Sequence, residues 1–267
     1  MGSSQGAAVA LGKFDAMHTG HRALAAEAQK LGGHPWLLSF SGMANVLGWP
    51  ERQPLVAVSD RPRVLTSWAP YCGGVVPLQR YIPFAAVRQL SPNDFVKVLA
   101  LNLKVSGVVV GKGFRFGYKA SGDTEALQTL GAQYGLKVSV VDLVQGDAKH
   151  GIEKVSSSSV RSALADGQME RVRNLLGRPH RLVIQPTGNT KILQAKRWNF
   201  QKEDFKNQPP KDGKYVAHVS MMLSQGGSLQ LPFPVEIEID SSGILIHSNT
   251  AAVGDPPAST AEVLIDF

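Results

Sequence analysis

The sequence predicts an α/β protein, with a parallel sheet flanked by helices followed by a small antiparallel β domain. Three observations carry this expectation. Apolar strand-like runs alternate with helix-forming segments through the N-terminal part of the chain, an order that builds parallel sheets through right-handed crossovers. One of these runs, Gly107-Val108-Val109-Val110-Gly111, is β-branched and lacks polar alternation, as in a strand covered on both faces. Beyond Pro179 the period changes: Val235, Ile237 and Ile239 alternate with Glu236, Glu238 and Asp240, the pattern of a sheet with one wet face. A boundary is expected near residue 181, dividing 1–180 from 181–267.

Taken in order, Ala7-Ala8-Val9-Ala10-Leu11 reads as a buried strand, and the Ala-rich run from Arg22 to Leu31 as a helix. Trp36 to Phe40 is a second strand. Ser59-Asp60-Arg61-Pro62 places a capping residue ahead of a first-turn proline, so a short helix through Val64 to Trp68 follows. Ser91-Pro92-Asn93-Asp94 repeats that signal, with Asp94 three residues after the cap, and opens a helix from about Phe95 to Leu103. After the valine strand, a helix runs from Thr124 to Tyr134 and stops at Gly135; Val138 to Val141 is the next strand. A polar loop, Gln145 to Lys154, leads to helices carrying Leu164, Met169, Val172, Leu175 and Leu176, which Gly177 ends. In the C-terminal part, Ser241-Ser242-Gly243 turns Val235–Asp240 into Ile244-Leu245-Ile246, a hairpin; Tyr215 to Leu223 and Val263 to Phe267 are further strands.

Chemistry concentrates in Gly12-Lys13-Phe14-Asp15-Ala16-Met17-His18-Thr19-Gly20-His21, where a strand feeds a helix. Unpaired backbone N–H groups and the helix dipole favour an anion there, and Gly20 lets backbone approach a ligand. In parallel sheets ligands bind beyond the carboxyl ends of the strands, so Gly12 and Gly111 are expected to face one crevice. Gly111-Lys112-Gly113-Phe114-Arg115-Phe116-Gly117 does not fit a dinucleotide loop, since no helix starts there, nor a P-loop, whose spacing and Ser/Thr it lacks.

Composition narrows the partners. Cys72 is the single cysteine, which excludes an intrachain disulfide and a multi-cysteine zinc site and suits a reducing compartment. No apolar run approaches the roughly 20 residues of a membrane helix. A net charge of +7 suits anionic partners, but no run of five or more Lys/Arg marks a nucleic-acid patch. Small phosphorylated molecules are expected, with neither nucleic acid nor membrane as a partner. Met1 to Gly6 carry no targeting pattern.

The string G-x-F-D-x-x-H-x-G-H resembles the signature of the nucleotidylyltransferase superfamily and, in this long form, its FAD synthetase (FMN adenylyltransferase) branch. Gly113-Phe114-Arg115-Phe116-Gly117 with Ser121-Gly122-Asp123 resembles a second segment of that family, and Val155-Ser156-Ser157-Ser158-Ser159-Val160-Arg161 a third. Phe40-Ser41-Gly42-Met43-Ala44, Ser67 to Gly73 and Phe116 to Asp123 are similar to the monofunctional plant-type members. Gly113 departs from the family, which carries Asp or Asn there. The likeness covers roughly residues 7 to 182 and is faint beyond them.

The resemblance implies a Rossmann-like nucleotidylyltransferase domain over 1–180 and a degenerate riboflavin-kinase-type barrel over 181–267. It implies AMP transfer from ATP to FMN, with Mg²⁺ brought by the nucleotide and no protein ligand cluster for a metal. Catalytic roles fall to His18, His21 and Arg161. Gly12, Phe14, Asp15, Gly20, Ser157 and Ser158 join those three around ATP, while Phe40, Arg115, Phe116 and Asp123 would meet FMN. The chloroplast stroma is the implied compartment, with the cytoplasm, also reducing, as the alternative. Kinase chemistry is not expected: Pro186-Thr187-Gly188-Asn189 nearly matches the kinase's P-T-A-N string but comes too soon after His180. Two other readings stay open at this point, a nucleotidylyltransferase with another phosphorylated acceptor and a non-catalytic nucleotide- or nucleic-acid-binding protein.

Overall fold

The computed structural model describes residues 6–142, 145–146, 153–187, 191–194, 197–223, 232–247 and 260–267. Met1–Gln5, most of the loop between Gln145 and Lys154, and Gly188-Asn189 lie outside the described residues. Two compact units are formed, one of residues 1–52 and 62–155, the other of 53–61 and 156–267.

The first unit is built on β1 (Ala8–Leu11), α1 (Thr19–Lys30), β2 (Pro35–Ser41), α2 (Met43–Leu47) and, after α3 (Arg61–Ser67), β3 (Leu78–Pro83). Then come α4 (Phe84–Val87), α5 (Pro92–Lys97), β4 (Gly107–Gly111), α6 (Thr124–Gln133), β5 (Lys137–Val141) and a two-strand pair, β6 (Gln145–Gly146) with β7 (Glu153–Lys154). The five-stranded sheet has the order β3-β2-β1-β4-β5, and its pairings are parallel. Val9 sits between Trp36 and Val108 in register. Ala8, Val9 and Ala10, with Val108, Val109 and Val110, have no solvent exposure, so the apolar runs mark the two central strands.

That order has a functional consequence. The chain leaves β1 toward β2 and β3, then crosses back to place β4 on β1's other side. The reversal opens a crevice at the carboxyl ends of β1 and β4, where Gly12 and the Gly111–Gly113 turn lie.

Local signals set most element ends. The Ser91 hydroxyl accepts from the Asp94 N–H at 3.1 Å and donates to its carboxylate, capping α5, which continues as a π-helical turn over Val98–Asn102. Gly135 takes a φ of 72° after α6, a conformation glycine adopts without a steric penalty. Two features depart from the sequence reading. A 3₁₀ turn, Val58–Asp60, occupies the start of the expected capping stretch and leads directly into α3 at Arg61. Strand β3 was not foreseen: an edge strand reading Leu-Gln-Arg-Tyr-Ile-Pro has polar residues and a terminal proline, and an edge requires neither apolar alternation nor a full set of donors.

The second unit carries α7 (Ser157–Ala165), α8 (Met169–Leu176), β8 (Arg181–Ile184), β9 (Lys191–Gln194), β10 (Arg197–Gln201) and β11 (Gly213–Leu223). It ends with β12 (Phe233–Ile239), β13 (Gly243–His247) and β14 (Thr260–Asp266), in an antiparallel sheet ordered β8-β14-β11-β12-β13-β10-β9. Strand β12 alternates buried and exposed residues along its length, and the Asp240 carboxylate accepts from Ser242 and Gly243 N–H groups to close the hairpin. Trp198, Phe200, Val219, Ile237, Ile246 and Ile265 fill its core.

The helices α7 and α8 group with this sheet, upstream of the division expected near residue 181. Backbone bonding ties α7 to it, the Lys211 N–H donating to the Leu164 carbonyl at 2.8 Å, and the 53–61 segment joins through the Gln208 N–H, which donates to the Pro54 carbonyl at 2.9 Å. The Asn207 amide ties three segments, accepting from the Val183 N–H and donating to the Leu55 and Arg181 carbonyls. Among the described residues no helix is long and apolar enough to cross a membrane.

Candidate functional site

The loop between β1 and α1 is pinned at both ends. The Gly12 N–H donates to the Leu38 carbonyl, and the buried Ser39 hydroxyl donates to the Lys13 carbonyl while accepting from the Gln79 amide. Between those points the backbone takes an unusual course. Phe14 and Met17 are fully buried with φ of 47° and 48°, left-handed values that cost non-glycine residues about 1–3 kcal/mol each. Such strain persists because the surrounding packing overrides it, and it concentrates here on the residues leading to the two histidines.

His18 is the N-cap of α1: its Nδ1 accepts from the His21 backbone N–H at 3.2 Å. An imidazole that accepts at Nδ1 in its neutral form carries its hydrogen on Nε2, so His18 presents an Nε2–H donor. The two imidazoles stack with centroids 3.6 Å apart and planes 16° from parallel, and the Phe14 ring meets His21 edge-on at 4.9 Å. The cap thus occupies Nδ1 of the His18 ring. Gly20 lies inside the first turn of α1, and Asp15 is half-buried just ahead of it. With no acidic residue in that turn, the helix dipole is not offset where it meets the loop.

Beside this loop is a cavity of about 630 Å³, a size that suits a cofactor-like molecule. Phe40, Phe84, Phe95, Phe114 and Phe116 give it aromatic walls, with Met43 and Leu47 of α2 along one side. Phe114 and Phe116 stack at 6.0 Å, and Phe95 lies 5.4 Å from Phe116. Lys13, Arg88, Arg115 and Lys119 supply cations at its edge. Gly12 and Gly113 both line it, whereas Gly111, the residue paired with Gly12 from sequence, is not among its walls. The arrangement suits a planar aromatic ligand carrying negative charge.

The residues singled out from sequence fall into three groups. Gly12, Phe14, His18 and His21 form the loop cluster. Phe40, Arg115 and Phe116 line the cavity, whereas Asp123 is not among its walls: its carboxylate caps α6 by accepting from the Ala126 N–H at 2.9 Å and pairs with Arg115 at 3.7 Å. The Arg115 guanidinium also donates twice to the Ala120 carbonyl, at 3.0 and 2.8 Å, so Asp123 holds a cavity residue in place. Ser157, Ser158 and Arg161 belong to the second unit. Ser156 rather than Ser157 caps α7, accepting from the Ser159 N–H at 3.1 Å. Arg161 donates to the Gln208 side chain at 2.6 Å and to the Gln53 carbonyl at 3.0 Å. Among the described residues no group of three or more His, Cys, Asp or Glu side chains is placed to hold a metal ion.

Sequence reasoning missed Lys13, Met43, Leu47, Phe84, Arg88, Phe95 and Tyr118 as cavity residues. Phe95 was legible only as an apolar helix residue, and Phe84 and Arg88 had no motif around them. Lys13 stood inside the signature string with no role attached.

Comparisons with known proteins agree in direction. The family model for FAD synthetase matches residues 1–159. FAD synthetase 2, chloroplastic, of Arabidopsis thaliana is 44% identical over 254 residues, covering 91% of this chain and 67% of the relative. FAD synthetase 1, chloroplastic, of the same plant is 40% identical over 255 residues, covering 91% and 70%. The bifunctional riboflavin kinase/FMN adenylyltransferase of Buchnera aphidicola is 27% identical over 234 residues, covering 82% and 70%. Among solved structures, a macrolide-efflux protein from Streptococcus pneumoniae superposes with a TM-score of 0.74 at 20% identity, covering 100% of this chain and 93% of that one. At that identity the likeness speaks for the fold alone.

Proposed function

The chain belongs to the FAD synthetase family, and from that premise we propose that it transfers AMP from ATP to FMN, yielding FAD and pyrophosphate. One observation carries the reading beyond family membership. A single loop lines the aromatic cavity with Gly12 and Lys13 and, one residue later, packs Phe14 against the stacked histidines. An acceptor seated among the phenylalanines therefore has its anionic end beside the phosphate-handling loop.

A phosphate oxygen of FMN attacks the α-phosphorus of ATP; the new P–O bond forms as the bond to the β-phosphate oxygen breaks, and pyrophosphate departs with that electron pair. No protein nucleophile is needed, so catalysis is positioning plus charge stabilisation. His18 donates from Nε2 to the transferring phosphoryl group, and His21, stacked on it, holds that ring's plane and brings a second imidazole to the same locus. The α1 dipole acts in the same sense. Gly12, Gly20, Phe14 and Asp15 shape the nucleotide's surroundings, and Ser157, Ser158 and Arg161 are assigned to the leaving phosphates. Phe40, Phe116 and Arg115 meet the flavin, with Asp123 steadying Arg115. Mg²⁺ enters as part of the MgATP substrate. The assigned residues all precede residue 181, and the sheet after it is assigned to folding or partner binding. The chloroplast, named for both plant relatives, is the proposed compartment, with its stroma as the site.

The test is incubation with ATP, Mg²⁺ and FMN, with FAD separated by chromatography and pyrophosphate counted. Equimolar FAD and pyrophosphate are expected. FMN left unchanged, or AMP passed to another phosphorylated acceptor instead, would overturn the assignment.

A further inference from the structure

Four cations line the cavity edge, and they are not equivalent. Arg115 is held by the Ala120 carbonyl and Asp123. The Lys119 ammonium lies 5.4 Å from the ring of its neighbour Tyr118. Arg88 follows α4, an element remote in sequence from the histidine loop. Lys13 alone among them belongs to that loop, one residue after Gly12 and one before Phe14, whose ring touches His21.

The Lys13 ammonium is also positioned. It sits 4.7 Å from the centroid of the Trp49 ring, and among the described residues it forms no ion pair with a carboxylate. Trp49 is half exposed and set by the end of α2: Gly48 turns the chain at φ 67°, and the Trp49 N–H donates to the Ala44 carbonyl at 2.9 Å. An indole face attracts an ammonium without neutralising it, so it holds the long side chain near one place while the full charge stays available to a ligand. A carboxylate partner in that position would instead compete with an incoming phosphate.

We infer that Lys13, held by Trp49, is the group that reads the acceptor's phosphate and so selects FMN over riboflavin. The inference rests on the FMN reading above. Riboflavin and FMN share the ring that the phenylalanines would clasp; they differ in a dianionic phosphate at the end of the ribityl tail. Apolar walls alone bind the two alike, and discrimination requires a cation where the tail ends. The ring's place among the phenylalanines and the reacting phosphate's place beside His18 and His21 put that tail past Lys13. Trp49 is a positioning residue in this scheme and touches no reacting atom.

The test is titration of the full chain with FMN and, separately, riboflavin, followed by flavin fluorescence, for the wild type and for Lys13→Met, Trp49→Leu, Trp49→Phe and Arg88→Gln. Loss of one charge-assisted contact is expected to weaken FMN binding about ten- to a hundredfold in Lys13→Met, with riboflavin binding changed less than about twofold. Trp49→Leu should show a smaller loss with the same selectivity, and Trp49→Phe, which keeps an aromatic face, should recover most of it. Equal weakening of both flavins in Lys13→Met, an unchanged FMN affinity, or an FMN-selective loss found in Arg88→Gln instead would overturn the inference. If the wild type binds FMN and forms FAD, those outcomes count against Lys13 alone; if it binds neither flavin, the FMN reading falls and this inference with it.

Discussion

His18 and His21 stack 3.6 Å apart while the His18 Nδ1 accepts the His21 backbone N–H, so one side chain both caps α1 and aligns the second imidazole. The proposed chemistry of His18 thus falls on a residue with a structural task, and substitutions can separate the two. His18→Ala and His21→Ala are each expected to lower turnover by about two orders of magnitude or more, as losing one preorganised donor does elsewhere. His18→Ala should also cost about 1 kcal/mol of stability through the lost cap, whereas His18→Asn should restore the cap without restoring turnover. Steady-state rates and denaturant melts on the three variants check this; normal FAD formation in either alanine variant removes the phosphate site.

Gly113 lines the cavity at a φ of 86°, and an added Cβ would meet nothing within 4 Å. Asparagine and aspartate tolerate the left-handed region best among residues with side chains, at a cost of about 1 kcal/mol. Gly113→Asn and Gly113→Asp are therefore expected to fold and to tighten FMN binding by about three- to tenfold, the worth of one added hydrogen bond. Isothermal titration with FMN is the measurement. Unchanged or weaker affinity would mean that a different group already makes the contact.

Gly122 faces the opposite situation. A Cβ there would stand 2.7 Å from the Phe116 ring, which is already packed against Phe95 and Phe114. Gly122→Ala must displace Phe116 in the cavity wall. A several-fold rise in the KM for FMN is expected, with the KM for ATP little altered. Equal changes in both would point to general unfolding of the region instead.

His180 is buried, and burial pushes its imidazole down to about 4, with the Arg178 guanidinium acting in the same direction. The Gln208 carbonyl and the Asp60 and Asp266 carboxylates oppose that shift without reversing it. The folded state therefore holds a neutral imidazole whose unfolded counterpart titrates near 6.5. Its stabilisation is full above pH 6.5, falls as pH drops toward about 4, and is gone below that. Between pH 8 and pH 5 the loss from this group is on the order of 2 kcal/mol. Comparing urea melts of the wild type and His180→Gln at those two pH values isolates it. An equal pH dependence in both proteins would place the titration elsewhere.

Riboflavin, ATP and Mg²⁺ supplied together are expected to yield neither FMN nor FAD. The Thr187 hydroxyl donates at 2.6 Å to the buried Asp204 carboxylate, whose other oxygen accepts from the Gln201 N–H, so both are engaged in a turn. Glu236 and Glu238 stand on the exposed face of β12, where they are solvated surface groups. The remainder of the near-match, Gly188 and Asn189, lies outside the described residues. Chromatographic detection of steady FMN production would refute the expectation.

The sequence by itself determined the elements whose signals are local. The valine run of β4, the Ser91 cap, the Gly135 and Gly177 stops and the alternation of β12 each depend on residues within a few positions, and each is found where its pattern lies. The histidine pair was legible for the same reason: a strand end, a helix start and a three-residue spacing suffice to bring both rings together. Tertiary structure decided what depends on distant partners. Strand order put β4 beside β1 and so opened the crevice, and no local pattern specifies which strands become neighbours. Phe84, Phe95 and Arg88 became cavity residues, and Lys13 met Trp49, only because elements far apart in sequence pack around one space. The 53–61 segment joined the second unit through hydrogen bonds to Asn207 and Gln208. Backbone and side-chain groups buried by long-range packing must find partners wherever the fold provides them, which is why those choices were made by the folded chain and could not be read from neighbouring residues.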